Sequence, residues 1–543
     1  MSPRRRVLLS ALSTGVLLFA TFAAPASAQF YDVARRSLDF SMDGIERSPR
    51  LLGMGRLTFV GDDPHIAITL WDFAANPVGI AQADSGNTVE VFPATASYSS
   101  IHDRLLGAET LERQVGAARE NRMSYEIWRR TSGGSAYGFA GNLGHLRTDQ
   151  IYSESMERRT TLDQPTIMPV ITGRVPFARS AHWLYAARLF YSGEGSVDQY
   201  RLLVQNSMGQ YIDQDGVQLN PPEFFTPTDY KVRTVGGGLG VAYDHGPGFK
   251  ASVVMDQFQN NIEGTCDAPR HSSHMQEKRP YSKEQLSVVG RLGRELEWGG
   301  DVRRWRSSSE ETWFFSISAG VGANPLVGRG KLLERNEFGT AFRWRLRWKR
   351  GPFELGGGLG TGYRRVAVTP PAIDDRTSFN YFRNTAYYYP NADSLVLPDS
   401  VSYNQVFEHT WEAGGGLAYR LPGRGGLWGV EFHQRQYQLK QTRSGKGPHR
   451  KGWDVRTGFE YPCTSVMSGS IGYVYRWEDQ DELTLGNEYV GHSVTLGVGL
   501  RPTGASWVIQ TGYAVEWRAT DYGDPTKPRS GSQQLASMIR WSF

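Results

Sequence analysis

Apolar and polar residues alternate one by one through the second half of the chain. In the segment 507–517, Trp507 and Trp517 fall on one face, and Gln510 and Glu516 fall on the other. A period of two residues predicts a β-strand whose two faces meet different surroundings. The same period occurs in four further segments: 342–348, 428–432, 467–477 and 535–543.

The length of these segments indicates which kind of sheet they form. Strands of a soluble sandwich alternate as well, so alternation alone does not decide. The segments run for roughly 10 residues or more, which suits tilted strands that cross a bilayer. Their apolar faces carry aromatic residues near the ends, where a membrane protein meets the lipid headgroups. The pattern therefore favours transmembrane strands.

The connections between the segments alternate in length, which indicates hairpins. The short ones lie at 245–248, 350–352, 421–426, 462–465 and 502–505. The long polar ones lie at 263–280, 370–403, 443–450, 479–487 and 520–530. Short turns on one rim and long loops on the other are typical of a transmembrane β-barrel.

The fold class that follows is all-β: a transmembrane antiparallel β-barrel over residues 88–543. We predict about eighteen strands, within a range of fourteen to eighteen, since a bacterial single-chain barrel needs an even number. The predicted strand cores are 88–101, 122–131, 135–143, 166–177, 181–193, 230–243, 249–262, 281–296, 311–323, 337–349, 352–368, 405–420, 427–442, 451–461, 465–478, 489–501, 506–519 and 531–543. The first strand is expected to pair with the last, and residues 297–310 fall between two predicted strand cores.

The N-terminus predicts export. Arg4, Arg5 and Arg6 precede an apolar run over 7–22, and a small-x-small cleavage site ends at Ala28. We therefore predict a signal peptide over residues 1–28. After residue 22 no uncharged apolar run approaches the roughly 20 residues of a spanning helix, which excludes a helical membrane protein. The three signal arginines supply more than half of the formal net charge of +5, so nucleic acid is not an expected partner.

Charged residues fall on the inward face of the predicted strands. The expected lumenal set is Arg343, Arg345, Arg347, Glu408, Glu412, Glu431 and Arg435. The arginines either form an electropositive wall that favours anions in a pore or pair with the lumenal carboxylates. A carboxylate beside His433 without a pocket is weak evidence for catalysis, so we expect no enzyme. The scattered histidines predict no metal site, and we expect no cofactor.

Glycine runs occur inside three predicted strands. Segments 236–239, 356–359 and 414–417 each read Gly-Gly-Gly-Leu. A phosphate-binding loop needs a turn from a strand into a helix, which these positions lack. Small residues that let the wall or a plug approach closely are the favoured interpretation.

The segment before the first strand carries a family resemblance. Its motifs are Gly53-Met54-Gly55-Arg56, then Asp62-Asp63, then Asn76-Pro77-Val78-Gly79-Ile80-Ala81. Together they resemble the N-terminal region of the FadL long-chain fatty-acid transporter superfamily, which includes the PorV-like barrels. The chain ends at Phe543 on an alternating strand, which resembles the C-terminal signature of Gram-negative outer-membrane barrels.

The resemblance implies a hatch segment over residues 29–87 that plugs the lumen. The hatch or gating residues that it implies are Gly53, Gly55, Asp62, Asp63, Asn76, Pro77 and Gly79. It implies passive uptake of small hydrophobic molecules across the outer membrane of a Gram-negative bacterium, with membrane lipid and a small solute as partners. One alternative is a PorV-like scaffold for secretion or surface assembly, with a secreted or surface protein as its partner. The charged lumen favours another alternative, a polar-solute porin.

Overall fold

The computed structural model describes residues 48–60, 86–106, 110–153, 156–175, 182–202, 225–268, 271–317, 326–369, 404–423, 425–441, 449–482, 485–519 and 529–543. The predicted signal peptide and hatch residues 29–47 and 61–85 lie outside these ranges. Within them, no helix is long and apolar enough to cross a membrane.

The described residues form eighteen strands and one short helix. The strands are β1 Gly86–Leu106, β2 Thr110–Arg130, β3 Ala136–Ser153, β4 Met156–Arg174, β5 Trp183–Leu202, β6 Phe225–Asp244, β7 Phe249–Ala268, β8 His271–Leu292, β9 Leu296–Ile317, β10 Leu326–Arg350, β11 Phe353–Thr369, β12 Asn404–Arg420, β13 Leu427–Gln441, β14 His449–Pro462, β15 Met467–Glu482, β16 Leu485–Leu500, β17 Trp507–Ala519 and β18 Arg529–Ser542. The helix, α1, spans Pro49–Gly53. A turn of 3-10 helix, Gly246–Gly248, joins β6 to β7.

Antiparallel pairing joins each strand to the next and returns from β18 to β1. At the closure Thr88 pairs with Ser542, and Ile101 pairs with Arg529. The sheet is therefore a closed barrel of eighteen strands, as predicted. Closure gives every strand two neighbours, so no row of unpaired backbone groups is left at an edge.

Two expectations for the middle of the chain are wrong. The predicted long loop 263–280 is strand almost throughout, because β7 and β8 continue to pair as far as Ala268 and His271. Residues 297–310, which fall between two predicted strand cores, belong to the first part of β9 and pair with both β8 and β10. Polar residues occupy both faces in much of these segments, so the apolar period that marks a strand is lost.

The two faces of the barrel wall differ in chemistry. Large apolar side chains are exposed on the outer face, with Leu189 and Leu239 at 67% and 70%. Buried carboxylates lie on the inner face, with Glu90, Glu431 and Asp454 each at most 1% exposed. An apolar exterior and a polar interior are typical of a barrel whose outer face meets lipid. The chain is therefore a transmembrane β-barrel of the outer-membrane type.

The connections give the barrel two unlike rims. Those after even-numbered strands are short turns, such as 351–352 between β10 and β11, and we call their side the short-turn rim. Those after odd-numbered strands include the chain segments 203–224 and 370–403. Exposed apolar side chains lie nearest the short-turn rim: on β7 they begin at Phe249 and give way to Gln257. The strands thus continue beyond the apolar band on the far side.

Candidate functional site

Residues 48–60, which we call the plug segment, lie inside the barrel against the inner faces of β11 to β17. Ser48 starts α1 because its hydroxyl accepts a hydrogen bond from the Leu51 N–H at 3.0 Å. After the helix the chain turns at Gly55 and Arg56, whose φ angles are +73° and +60°. A left-handed backbone is uncommon for arginine, so the surrounding contacts must hold this turn.

A row of glycines on the inner face receives the plug segment. This glycine row consists of Gly512, Gly497, Gly472, Gly458, Gly429, Gly414 and Gly356, one from each strand from β17 back to β11. A Cβ atom on Gly458 would lie 2.0 Å from the Met54 carbonyl oxygen, and one on Gly472 would lie 2.1 Å from the Gly55 nitrogen. Side chains do not fit at these distances. Glycine is therefore required where the plug backbone touches the wall.

The plug segment also buries four apolar side chains against the wall. Leu52 packs against Ala514 and Ala536. A second cluster joins three plug residues to residues of β12 and the start of β13: Met54, Leu57, Val60, Ala418 and Leu427. The four plug side chains are at most 1% exposed. Because full burial of one such side chain is worth about 1.5–3 kcal/mol, packing holds the plug segment firmly.

The Glu431 carboxylate on β13 holds the C-terminal end of the plug segment. It accepts hydrogen bonds from three successive backbone N–H groups, those of Thr58 at 2.8 Å, Phe59 at 2.6 Å and Val60 at 2.8 Å. His433 lies beside it, with Nε2 at 2.8 Å from Glu431 Oε2, and its ring stacks on Phe59 with centroids 4.8 Å apart. Hydrogen bonds to an ionised acceptor are the strong ones. We call this arrangement the Glu431 latch.

Arginines hold the plug segment through its carbonyl oxygens. The Arg345 guanidinium donates to the Thr58 carbonyl at 2.7 Å, and that of Arg456 donates to the Arg56 carbonyl at 2.7 Å. Arg456 is itself held by Asp454, with Nε and Oδ1 2.6 Å apart. Donors from the wall thus satisfy backbone acceptors that the irregular plug backbone leaves open.

The plug segment also contributes charge to the lumen. Arg50 donates to Glu460 on β14, with Nε and Oε1 2.8 Å apart. Arg56 approaches Glu516 at 3.8 Å and donates to the Gln534 side chain at 3.0 Å. With the Arg345 contact on β10, the polar contacts reach from β10 round to β18, and the plug segment is fixed by packing and by charge together.

The other lumenal charges that the sequence predicted lie in ion pairs between nearby strands. Arg343 is 3.7 Å from Glu412, Arg347 is 3.9 Å from Glu354, and Arg435 is 3.8 Å from Asp454. Glu408 accepts from Arg364 at 3.0 Å and from the Tyr437 hydroxyl at 2.8 Å. Of the two interpretations of the arginine ladder, these contacts favour pairing over an unbalanced positive wall.

The inner face of β2 to β9 carries a different surface. We call it the aromatic wall, and its members are Trp128, Met168, Phe190, Phe258, Tyr281 and Trp305. The Phe258 ring meets Phe190 edge-on with centroids 5.5 Å apart, and Tyr281 lies 6.1 Å away. Ion pairs border it: Arg188 Nη2 lies 2.6 Å from Asp256 Oδ2, and both side chains are buried. The wall formed by β2 to β9 therefore holds one connected cluster of mostly buried apolar side chains.

The predicted hatch residues divide into two groups. Gly53 and Gly55 lie in the plug segment, where a Cβ on Gly53 would meet the backbone of Gly497 at 2.6 Å. The others lie outside the described residues: Asp62, Asp63, Asn76, Pro77 and Gly79. Among the described residues no group of three side chains is placed to hold a metal ion.

Sequence reasoning missed the aromatic wall and most of the glycine row. The runs 356–359 and 414–417 were the available signal for the glycine row, since Gly356 and Gly414 both contact Phe59. The favoured interpretation of these runs, close approach of a plug, fits these contacts. The aromatic wall had no such signal, because its members are spread singly over six strands.

The comparisons with known proteins found similar solved structures but no similar sequence. No protein-family model and no curated protein sequence matches the chain. One similar structure is the Pseudomonas putida toluene transporter TodX, with 10% identity, 91% of this chain and 97% of that chain covered, and a TM-score of 0.35. The Ralstonia pickettii toluene transporter TbuX is similar over 91% of this chain and 98% of that chain, with 9% identity and a TM-score of 0.36.

The ferric yersiniabactin uptake receptor FyuA from Yersinia pestis is similar over 85% of this chain and 81% of that chain, with 9% identity and a TM-score of 0.42. Because every one of these TM-scores is below 0.5, we take no function from them.

Proposed function

We propose that this protein is an outer-membrane channel for the passive uptake of small hydrophobic molecules, and that the plug segment closes it. The observation that carries the proposal is the pairing of two features in one lumen: a docked plug segment and a buried aromatic wall. The resemblance of the N-terminal motifs to the FadL-type superfamily supports the same function.

The membrane location rests on the two faces of the wall. An apolar exterior, a closed sheet and an N-terminal export signal belong together in a protein of the outer membrane. The band of exposed apolar side chains lies near the short-turn rim. Because the short turns of outer-membrane barrels face the periplasm, we place that rim on the periplasmic side. The plug segment then lies near the periplasmic end, because Gly429 and Gly356 are close to the first residues of their strands.

The aromatic wall supports a hydrophobic solute. Sites for small molecules are mostly apolar, with a few polar groups that fix orientation. Here the rings of Phe258 and Tyr281 supply apolar area, while Arg188, Asp256 and Glu337 lie at its border. A small aromatic or aliphatic molecule fits this chemistry better than a charged one.

The plug segment supports gating. Water can replace its polar contacts, because the Glu431 carboxylate and the guanidinium groups of Arg345 and Arg456 are readily hydrated. Its apolar contacts set the larger part of the cost of displacement. Packing and polar contacts together make the closed state dominant, and the open state is a minor population.

The charged lumen is the one observation that favours a polar-solute porin. The ion pairs between strands reduce the field that such a channel would use for selection. The plug segment also occupies the side of the lumen formed by β11 to β17. We therefore keep the porin as the second candidate, and the secretion scaffold as a third.

The test compares the full chain with a variant that lacks residues 48–60. Ion conductance is measured in planar bilayers, and uptake of radiolabelled toluene is measured in intact Gram-negative cells. We expect low conductance and measurable toluene uptake for the full chain, and conductance several-fold higher for the deletion variant.

Each other outcome supports a different function. High conductance of the full chain, with no toluene uptake above that of cells lacking the protein, would support the porin. No uptake and no conductance from either form would leave the secretion scaffold. Resistance of the folded barrel to unfolding in SDS at room temperature is the control that both forms are native.

A further inference from the structure

The outer face of the barrel carries a cavity of about 860 Å³ across β6 to β11. Most of its lining residues point outward, and they lie beyond the apolar band, on the side away from the short-turn rim. On β7 the band ends at Met255, and the cavity begins at Gln257. The cavity therefore starts where the exterior changes from apolar to polar.

The floor of the cavity is one row of paired residues that crosses four strands. Ser282 on β8 pairs with Arg306 on β9, which pairs with Phe338 on β10, which pairs with Arg365 on β11. Two guanidinium groups thus flank one aromatic ring. We call this set the Arg306–Arg365 row.

Both arginines are exposed. Arg306 donates to the Ser282 hydroxyl at 3.0 Å, and the Arg365 guanidinium lies 5.9 Å from the Phe407 ring centre. Neither has a carboxylate partner among the residues that the structure describes. The carboxylate that lines the cavity is Glu337, which belongs to the inner face and pairs with Arg364 at 2.7 Å.

The remaining walls of the cavity supply neutral polar groups. Gln257, Gln259 and Asn336 contribute amides around the row. The pairing of β8 with β9 lapses between Lys278 and Tyr281, because Pro280 has no N–H to donate. The lapse lies beside Ser282 and Arg306, and Pro280 lines the cavity there.

The height of the row matches that of a lipid headgroup. Arg306 lies ten residues along β9 from Leu296 at the short-turn rim. With a rise of about 3.3 Å per residue and a tilt near 40°, this corresponds to about 25 Å, the height of the apolar band of such barrels. The row is therefore level with the headgroups of the far leaflet.

We propose that this cavity binds the phosphorylated headgroup of a lipid in the outer leaflet. Arginine forks match phosphate oxygens and bind them in pairs, and two forks can hold one phosphate group or two neighbouring ones. Phe338 lies between them, and the guanidinium of Arg304 lies over its ring, 5.3 Å from the ring centre. The apolar band below receives the acyl chains.

The test measures lipid retained by the purified full chain in detergent, using native mass spectrometry. The probes are bis-phosphorylated lipid A, the same lipid A with both phosphates removed, and inorganic phosphate as a competitor. We expect binding of the phosphorylated lipid and a loss of about tenfold in affinity for Arg306→Gln and for Arg365→Gln. Lys451→Gln is the matched control, because Lys451 is exposed at a similar height and is already paired with Asp479 at 3.1 Å.

Three results would overturn the proposal. The first is equal binding of the dephosphorylated lipid. The second is an equal loss of affinity in the Lys451→Gln control. The third is displacement of the lipid by millimolar inorganic phosphate, which would indicate a site for a free anion. Restored binding in the conservative pair Arg306→Lys and Arg365→Lys, with a smaller loss than in the glutamine variants, would show that charge at these positions is what the lipid needs.

Discussion

The two sides of this barrel, β11 to β17 and β2 to β9, share the same strand pattern but carry different side chains on their inner faces. On β11 to β17 the inner face is made of glycines and charged residues, and a separate stretch of the chain lies against it. On β2 to β9 the inner face carries buried rings that pack on one another, such as Phe190 and Phe258. The strands differ as well: β7 has 20 residues, whereas β14 has 14.

The difference shows how a barrel divides its interior. A wall without side chains lets a backbone approach, so it can hold a segment that has no strand to pair with. A wall of large rings excludes a backbone and offers apolar area. The plug segment and the aromatic wall thus contact different strands of the barrel.

The largest effect is expected on the aromatic side, from Phe258→Ala. Phe258 is 4% exposed and contacts Phe190 and Tyr281, so its loss leaves a cavity. The free energy of unfolding, measured by urea titration in lipid vesicles, should fall by about 3–5 kcal/mol. Toluene uptake should fall, while ion conductance stays that of the wild type.

Phe249→Ala is the matched control on the same strand, because Phe249 is 39% exposed on the outer face. It should leave toluene uptake unchanged. If both variants lose uptake equally, the aromatic wall has no special part in passage and the comparison between the two sides fails.

On the plug side, Gly458→Val should have the next largest effect. A Cβ there would lie 2.0 Å from the Met54 carbonyl oxygen, so the plug segment has to move away. Overpacking of this kind costs about 1–3 kcal/mol. The open population, measured as conductance of single channels, should therefore rise roughly 5- to 150-fold.

Gly144→Val supplies the comparison on the opposite side. Gly144 lies on β3, and the atoms nearest to its added Cβ are 3.7 Å away. We expect wild-type conductance from it. An equal rise in both variants would mean that any bulk in the barrel wall opens the channel, and that the glycine row is not a docking surface.

The fold could be predicted from the sequence because lipid constrains one face of every strand. A charge on that face near the midplane costs about 2–4 kcal/mol, so apolar residues recur at every second position. Strand β17, from Trp507 to Ala519, follows this pattern and was predicted closely. In β9 the adjacent pairs Gly299-Gly300 and Arg303-Arg304 place non-apolar residues on both faces, so the apolar period is interrupted and the start of the strand was missed.

The candidate site was less predictable because a lumen accepts many kinds of side chain. The alternation of apolar and polar residues along β13 was enough to place Glu431 on the inner face. Its partner, the backbone of residues 58–60, is separated from it by 371 to 373 positions in the chain, and no local pattern encodes such a contact. The aromatic wall was unpredictable for the same reason, because its members come together only when six strands are assembled in the sheet.

The Glu431 latch gives the third prediction. In Glu431→Gln one carbonyl oxygen remains, but the negative charge that three N–H groups share is lost. Charge-assisted hydrogen bonds exceed neutral ones, so we expect the plug segment to be weakened by about 1–2 kcal/mol. Single-channel recording should show more frequent openings of otherwise normal size.

Glu408→Gln tests whether this effect belongs to the plug side of the lumen. Glu408 is also on the inner face, but it accepts hydrogen bonds from Arg364 and Tyr437 on the wall. Openings at the wild-type frequency are expected. If Glu408→Gln raises the frequency as much as Glu431→Gln does, then lumenal charge in general, and not the latch, controls the opening.

The smallest effect is expected from the Arg50–Glu460 pair, which joins the first turn of α1 to β14. Its side chains are 13% and 12% exposed, and Arg50 contacts both carboxylate oxygens. The pair should contribute only about 0.5–1 kcal/mol, because it is near enough to water for the charges to be hydrated when they part. A double-mutant cycle with Arg50→Gln and Glu460→Gln, read out as opening frequency, isolates the contribution. A coupling near zero would mean that packing of Leu52 and Met54 alone holds this end, whereas a coupling above 2 kcal/mol would make α1, and not the Glu431 latch, the main point of attachment.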